Sequence, residues 1–208
     1  MLNYFNVSLF IGINIILYAI VHIPLDYKTY VSKIAAKHPE KSPPHWKNNI
    51  NMFLVLFSSF FLWILFLVIP FTGAIGMEVF YLFPIIPIDD WSLTIQMMGL
   101  VMISFATLIA CWGRISRQLR AISWGIPLRL ETQGMFKFIR HPLYASYCYY
   151  FLGFLFLFQS YFVLPLLLGI PGYYMMSGYE DQLLETQFGE EFRSYRDRTG
   201  RFFPKLMP

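Results

Sequence analysis

Charge is what this sequence has least of. Asp, Glu, Lys and Arg supply 13% of 208 residues, against 57% hydrophobic and 20% aromatic, whereas a soluble domain is about one-quarter charged. That deficit excludes an ordinary soluble domain and places the chain in a membrane. Cysteine is nearly missing as well. Cys111 and Cys148 are the only two, and their spacing makes neither a disulfide framework nor a metal-ligand pattern. They read as packing residues, and no metal is expected. Low-complexity stretches, repeats of fixed period and hydrophilic blocks long enough to fold separately are also lacking, so 1–208 reads as one integral membrane domain. The net charge of +4 suits loops facing anionic membrane lipid, and nothing suggests a nucleic-acid partner.

What the chain has in quantity is long apolar runs. A spanning helix needs about 20 mostly apolar residues, and three runs meet that plainly: 6–24, 50–73 and 92–112. They make 1–112 a three-span unit. The fourth uncharged run, 142–179, would reach roughly 57 Å as one helix, nearly twice the hydrocarbon core, so it must fold back. Gln159-Ser160-Tyr161 is the natural hinge. The expected fold class is therefore all-α: a polytopic membrane protein with five transmembrane helices, the last two forming a helical hairpin.

Basic residues mark cytoplasmic loops, and the sixteen here fall into three clusters. The first is Lys28, Lys33, Lys37, Lys41 and Lys47. The second is Arg114, Arg117, Arg120, Arg129, Lys137 and Arg140, and the third is Arg193, Arg196, Arg198, Arg201 and Lys205. With five spans all three share one side, which puts the N-terminus outside and the C-terminus in the cytoplasm. Glu78, Asp89 and Asp90 then lie on the outer side. The first run lacks a basic leading segment and a small-residue cleavage site, so it is expected to be retained as a span rather than removed as a signal peptide.

Most of the ionisable residues near helix ends have a plain explanation. Lys47, Arg114 and Arg117 are expected to snorkel to lipid phosphates, and Ser42-Pro43-Pro44-His45-Trp46 to form a stiff turn with an interfacial tryptophan. Arg140-His141-Pro142 is different. Proline suits the first turn of a helix, which fixes Arg140 and His141 at the mouth of the fourth span. Open N–H groups and the helix dipole there favour an anion. Tyr144, three residues on, shares the face of His141. If the hairpin arms are equal, Glu180 returns to the same depth, and a cation and a carboxylate meet at one cytoplasmic pocket. Pro165 and Gly169-Ile170-Pro171-Gly172 interrupt the returning arm, as in helices that line a cavity or pack closely.

The segments "GMFKFIRHPLY" (134–144) and "YEDQLLETQFGEEFRSYRDRTGRFFP" (179–204) resemble the isoprenylcysteine carboxyl methyltransferases and their relatives, the phospholipid methyltransferases. The resemblance makes 113–208 the motif-bearing, cofactor-binding part, and implies a five-span enzyme using S-adenosylmethionine. By position, it assigns His141, Pro142, Leu143, Tyr144 and Glu180 to the cofactor, with Phe136 where the family often has a contacting tyrosine. Asp181 stands for the second glutamate of the acidic pair and joins the expected cofactor-binding set. The bottom-up reading agrees, with Glu180 facing the cofactor's ammonium and Arg140 its carboxylate. Arg140 and His141 are the expected catalytic residues.

A methyl transfer needs in-line alignment and exclusion of water, and an apolar acceptor tail is expected to enter sideways from lipid. The function implied is a methyltransferase acting on a lipophilic or lipidated acceptor, most like protein-S-isoprenylcysteine carboxyl O-methylation, at the cytoplasmic face of a membrane, the inner one if the source is bacterial. Met176 replaces an arginine that prenylcysteine-directed relatives carry, Leu128-Arg129-Leu130-Glu131 replaces their His-x-Leu-Val stretch, and Ser146 replaces a glycine. A phospholipid or small thiol therefore remains an alternative acceptor. A membrane sterol reductase binding NADPH shares the Arg-His-Pro-x-Tyr element, but not the acidic pair before Phe188-Gly189.

Overall fold

Apolar runs without water around them leave the backbone only its own hydrogen bonds, and helices are the local answer. A computed structural model describes residues 1–36, 49–85, 90–118 and 129–205. Among these, every regular element is helical: α1 (Tyr4–Ala36), α2 (Asn49–Ala74), α3 (Asp90–Gln118), α4 (Pro142–Phe158), α5 (Gly169–Phe188) and α6 (Glu190–Arg198). Short 3-10 segments lie at Val79–Tyr81, Gly134–Lys137 and Tyr161–Leu168. Three helices are long and apolar enough to cross a membrane, over Tyr4–Lys28, Ile50–Ala74 and Trp91–Arg117; α4 is a shorter apolar helix. The expected turn at 42–46 lies outside the described residues, as do Lys37, Lys41, Lys47, Asp89, Arg120 and Leu128.

The expected first span ends near Pro24, but α1 runs through Pro24 to Ala36. Proline there removes one N–H and leaves the rest of the ladder in place. The face α1 to α3 turn outward is apolar too: Ile20, Phe60, Leu67 and Val101 are all exposed. A soluble protein rarely presents so large an apolar surface, whereas a lipid-facing bundle must. Inside, α4 is the central post, with Tyr150, Phe151, Phe154 and Phe158 fully buried. It packs most extensively on α3, α5 packs on α2 and α4, and α1 packs on α2 and α3.

Two glycines set the α3–α4 spacing. A methyl group at Gly99 would stand 2.6 Å from the Leu157 nitrogen and 2.8 Å from the Gly153 oxygen, contacts that the backbone of α4 cannot avoid by rotating a side chain. Small residues at such crossings let membrane helices approach. Gly99→Ala is expected to destabilise the protein by about 1–3 kcal/mol, read as a lower unfolding midpoint in detergent. Gly12→Ala, where the added methyl meets only Pro70 at 3.7 Å, should leave the midpoint near wild type.

Some buried polar side chains cross-link the apolar helices by hydrogen bonds between them, the arrangement burial favours. Tyr150 donates to Thr107 at 2.9 Å and Thr107 to Asn14 at 2.7 Å, joining α4, α3 and α1. Gln96 donates to the Leu157 carbonyl at 3.0 Å.

The fold-back is present where expected. Gln159 ends α4 in the left-handed conformation, φ 48°, and its side chain donates to the Ser92 carbonyl at 3.0 Å. The loop at 83–85 clasps the hinge, Ile85 N–H meeting the Gln159 oxygen at 2.7 Å and Tyr161 N–H the Phe83 oxygen at 3.2 Å. The returning arm begins as the 3-10 segment that contains Pro165, and α-helix resumes at Gly169. Gly169 sits against Phe151 and Ser58, where an added methyl would come within 2.3 Å of both. Gly169 thus serves close packing.

Candidate functional site

The hairpin returns α5 to the start of α4, and the two motif segments meet there. His141 Nε2 donates to Asp181 Oδ1 at 2.7 Å, and His141 Nδ1 lies 3.3 Å from Glu180 Oε2. Both ring nitrogens face a carboxylate, an arrangement that favours the doubly protonated ring, in which both are donors. Burial alone pulls the His141 pKa down, but hydrogen bonds and charge from Asp181 and Glu180 overturn that and leave it raised. Burial pushes Glu180 and Asp181 up; the hydrogen bond and charge of His141 then bring each below its ordinary value. Tyr144 stacks on His141 with ring planes 1° apart and centroids 5.6 Å apart, confirming the shared face.

These shifts give stability a two-sided pH dependence. The raised His141 stabilises fully below about pH 6.5, and that contribution is lost as pH climbs through its folded value. The lowered carboxylates stabilise fully above about pH 4, and theirs is lost as pH falls through the folded values. The unfolding midpoint is therefore expected to fall on both sides of a mildly acid plateau. His141→Gln should remove the alkaline fall, and a wild-type midpoint that rises steadily above pH 7 would contradict the assignment.

A cavity of about 840 Å³ opens beside this cluster. Phe136, Arg140, His141, Pro142, Leu143, Tyr144 and Glu180 all line it. Asp181, expected with them, does not. It is buried behind His141, where it also faces Arg140 Nη2 at 3.3 Å and Arg201 Nη2 at 3.4 Å. Its place is to hold the wall, while Glu180, with 32% of its side chain exposed, presents a carboxylate surface.

Arg140 is more occupied than expected. Its Nη1 donates to the Arg196 carbonyl at 3.2 Å and to that of Thr199, capping the C-terminal end of α6, where a cation is favourable. Its Nε is buried with no hydrogen-bond partner among the described residues. The open amides expected at the mouth of α4 are not open at Arg140 and His141. Those N–H groups donate to the Gly200 and Arg201 carbonyls at 2.9 and 3.2 Å, because the C-terminal segment folds back over residues 138–141. Tyr195, from α6, donates to the Phe136 carbonyl at 2.7 Å and fixes that wall.

The far wall comes from helices with no motif. Tyr18, His22 and Asp26 from α1, Trp63 from α2, and Arg114 and Arg117 from α3 line the same cavity. Arg114 does not snorkel outward: it is 2% exposed, with Nε 2.9 Å and Nη2 2.5 Å from Asp26 Oδ1. A buried guanidinium requires such a partner, and α1 supplies it because the helix continues past Pro24. The signal available beforehand was the spacing of Tyr18, His22 and Asp26 at four-residue intervals, one face of a helix. Tyr147 and Tyr173 stack at 5.0 Å and complete the aromatic lining. Neither Cys111 nor Cys148 lines the cavity, and both are free thiols. Among the described residues no group of acidic, histidine or cysteine side chains is arranged for a metal. No protein-family model matches the chain, and no curated protein does.

Proposed function

We propose that this cavity binds S-adenosylmethionine and that the protein transfers its methyl group to a lipophilic acceptor. The observation that carries the reading is the meeting of His141 and Glu180 across the hairpin, on the wall of a cavity of about 840 Å³, a size within the range of roughly 300–1,000 Å³ common for ligand sites. The residues fit the ligand's charges. Glu180 offers a carboxylate for the ammonium, and the buried Nε of Arg140, lacking a partner among the described residues, offers a donor for the ligand's carboxylate. Tyr144, Tyr147 and Tyr173 line the same cavity, and aromatic faces attract a sulfonium as they do other cations. S-adenosylmethionine supplies an electrophilic methyl group on sulfur.

The chain's own contribution is alignment. His141, locked between two carboxylates, orients Glu180. Pro142, Leu143 and Phe136 shape the apolar wall that keeps water out. We further propose that the helical hairpin of α4 and α5 completes five membrane crossings, with the N-terminus outside and the site on the cytoplasmic side. The basic clusters support that orientation. The apolar outer surface supports entry of the acceptor from lipid, and the resemblance of 134–144 and 179–204 to the isoprenylcysteine and phospholipid methyltransferases supports methyl transfer as the chemistry. A panel of lipophilic carboxylates, amines and thiols, incubated with the purified protein and methyl-labelled S-adenosylmethionine, tests this. Mass spectrometry should find one methylated product; no label transferred to any member of the panel, or to co-purified lipid, would count against it.

A further inference from the structure

The motif half of the cavity leaves one wall unexplained, and His22 is part of that wall. This side chain is 5% exposed, and its ring lies parallel to that of Tyr18, 5° between planes and 3.5 Å between centroids. Its Nδ1 lies 3.1 Å from the Tyr18 carbonyl oxygen. A ring nitrogen against a carbonyl carries the hydrogen, and in a neutral imidazole the other nitrogen is then a lone-pair acceptor. That other nitrogen, Nε2, is buried with no partner among the described residues. A buried acceptor left unfilled is costly, whereas a ligand hydrogen that reaches it recovers the loss.

One helical turn along, Asp26 faces the same cavity with 49% of its side chain exposed, and Arg114 is drawn onto it. His22 Nε2 and Asp26 are both acceptors. A head group rich in hydrogen suits them, and a carboxylate, which offers only further acceptors, does not.

We propose that His22 Nε2 accepts a hydrogen bond from the head group of a second ligand, so that the cavity selects an amine or a thiol over a carboxylate. Calling this ligand the methyl acceptor rests on the function proposed above; its binding does not. Arg117 also lines the cavity, so a carboxylate ligand is a fair competitor in the test.

Binding of hexylamine, hexanethiol and hexanoate to the purified full-length protein, without S-adenosylmethionine, tests the assignment. The amine or the thiol should bind more tightly than hexanoate, and the arm that does so identifies which. His22→Phe keeps the stacking on Tyr18 and removes both nitrogens; it should weaken the preferred ligand about fivefold and leave hexanoate unchanged. In wild-type protein carrying 15N-histidine, the Nε2 signal absent from His22→Gln should shift on adding the preferred ligand. Hexanoate binding tightest, or an unmoved Nε2 signal at saturation, overturns the proposal whether or not the phenylalanine variant folds. S-adenosylmethionine binding measured on the same samples separates the two claims. Donor preference without cofactor binding ends the methyltransferase reading and keeps this one; cofactor binding without donor preference does the reverse.

Discussion

Glu180→Gln is expected to cost S-adenosylmethionine affinity about 2–5 kcal/mol, roughly 30-fold to several thousand-fold in Kd, while the protein still folds. Glutamine keeps the shape of the side chain and removes its charge. The carboxylate it replaces is held in place from one side by His141 Nδ1 at 3.3 Å and stays partly exposed on the other, so the loss falls on whatever cation occupies the cavity. The fold is spared because His141 keeps its shorter bond to Asp181, at 2.7 Å. Equilibrium dialysis with labelled S-adenosylmethionine checks the affinity, and the unfolding midpoint in detergent checks the fold. Equal affinity in the two proteins would remove Glu180 from the site.

Asp181→Ala is expected to do the opposite, costing the fold first. Asp181 is 5% exposed and is the shared partner of His141, Arg140 and Arg201. Removing it leaves an imidazolium and a guanidinium buried together, and breaking a buried pair in that way costs about 3–5 kcal/mol. Arg201 has a second hold, its guanidinium lying 4.7 Å from the Tyr174 ring, so the C-terminal segment should loosen at Arg140 rather than at Arg201. Asp181→Ala should unfold well below wild type, with hydrogen exchange rising first at Arg140, His141 and Gly200, whose amides pair across that seam. A midpoint within a degree of wild type would show that Asp181 is not the clamp.

The contrast between these neighbouring carboxylates shows where sequence reading carries and where it stops. That 142–179 folds back at Gln159, and that His141 and Glu180 meet, follows from the length of an uncharged run and the charges at its ends. Which of Glu180 and Asp181 faces the cavity does not follow. Consecutive helix positions point about 100° apart, and only the tail's return over residues 138–141 decides which side is buried. Arg114 is unreadable for a related reason: a cation at a helix end snorkels by default, and its partner Asp26 lies on a different helix, past the proline at which the first apolar run ends. His22 sits on an apolar helix face, with no motif to set it apart from a packing residue. Its unfilled nitrogen is a property of the assembled cavity and of nothing local.

On the proposed reading, the cavity between α4, α5 and the first three helices takes S-adenosylmethionine. Binding of tritiated S-adenosylmethionine and of NADPH to the same detergent-purified protein tests it most directly. Saturable S-adenosylmethionine binding at one site per chain is expected, displaced by S-adenosylhomocysteine and unaffected by NADPH. Saturable NADPH binding with no S-adenosylmethionine bound would contradict it and turn the Arg-His-Pro-x-Tyr segment toward reductase chemistry.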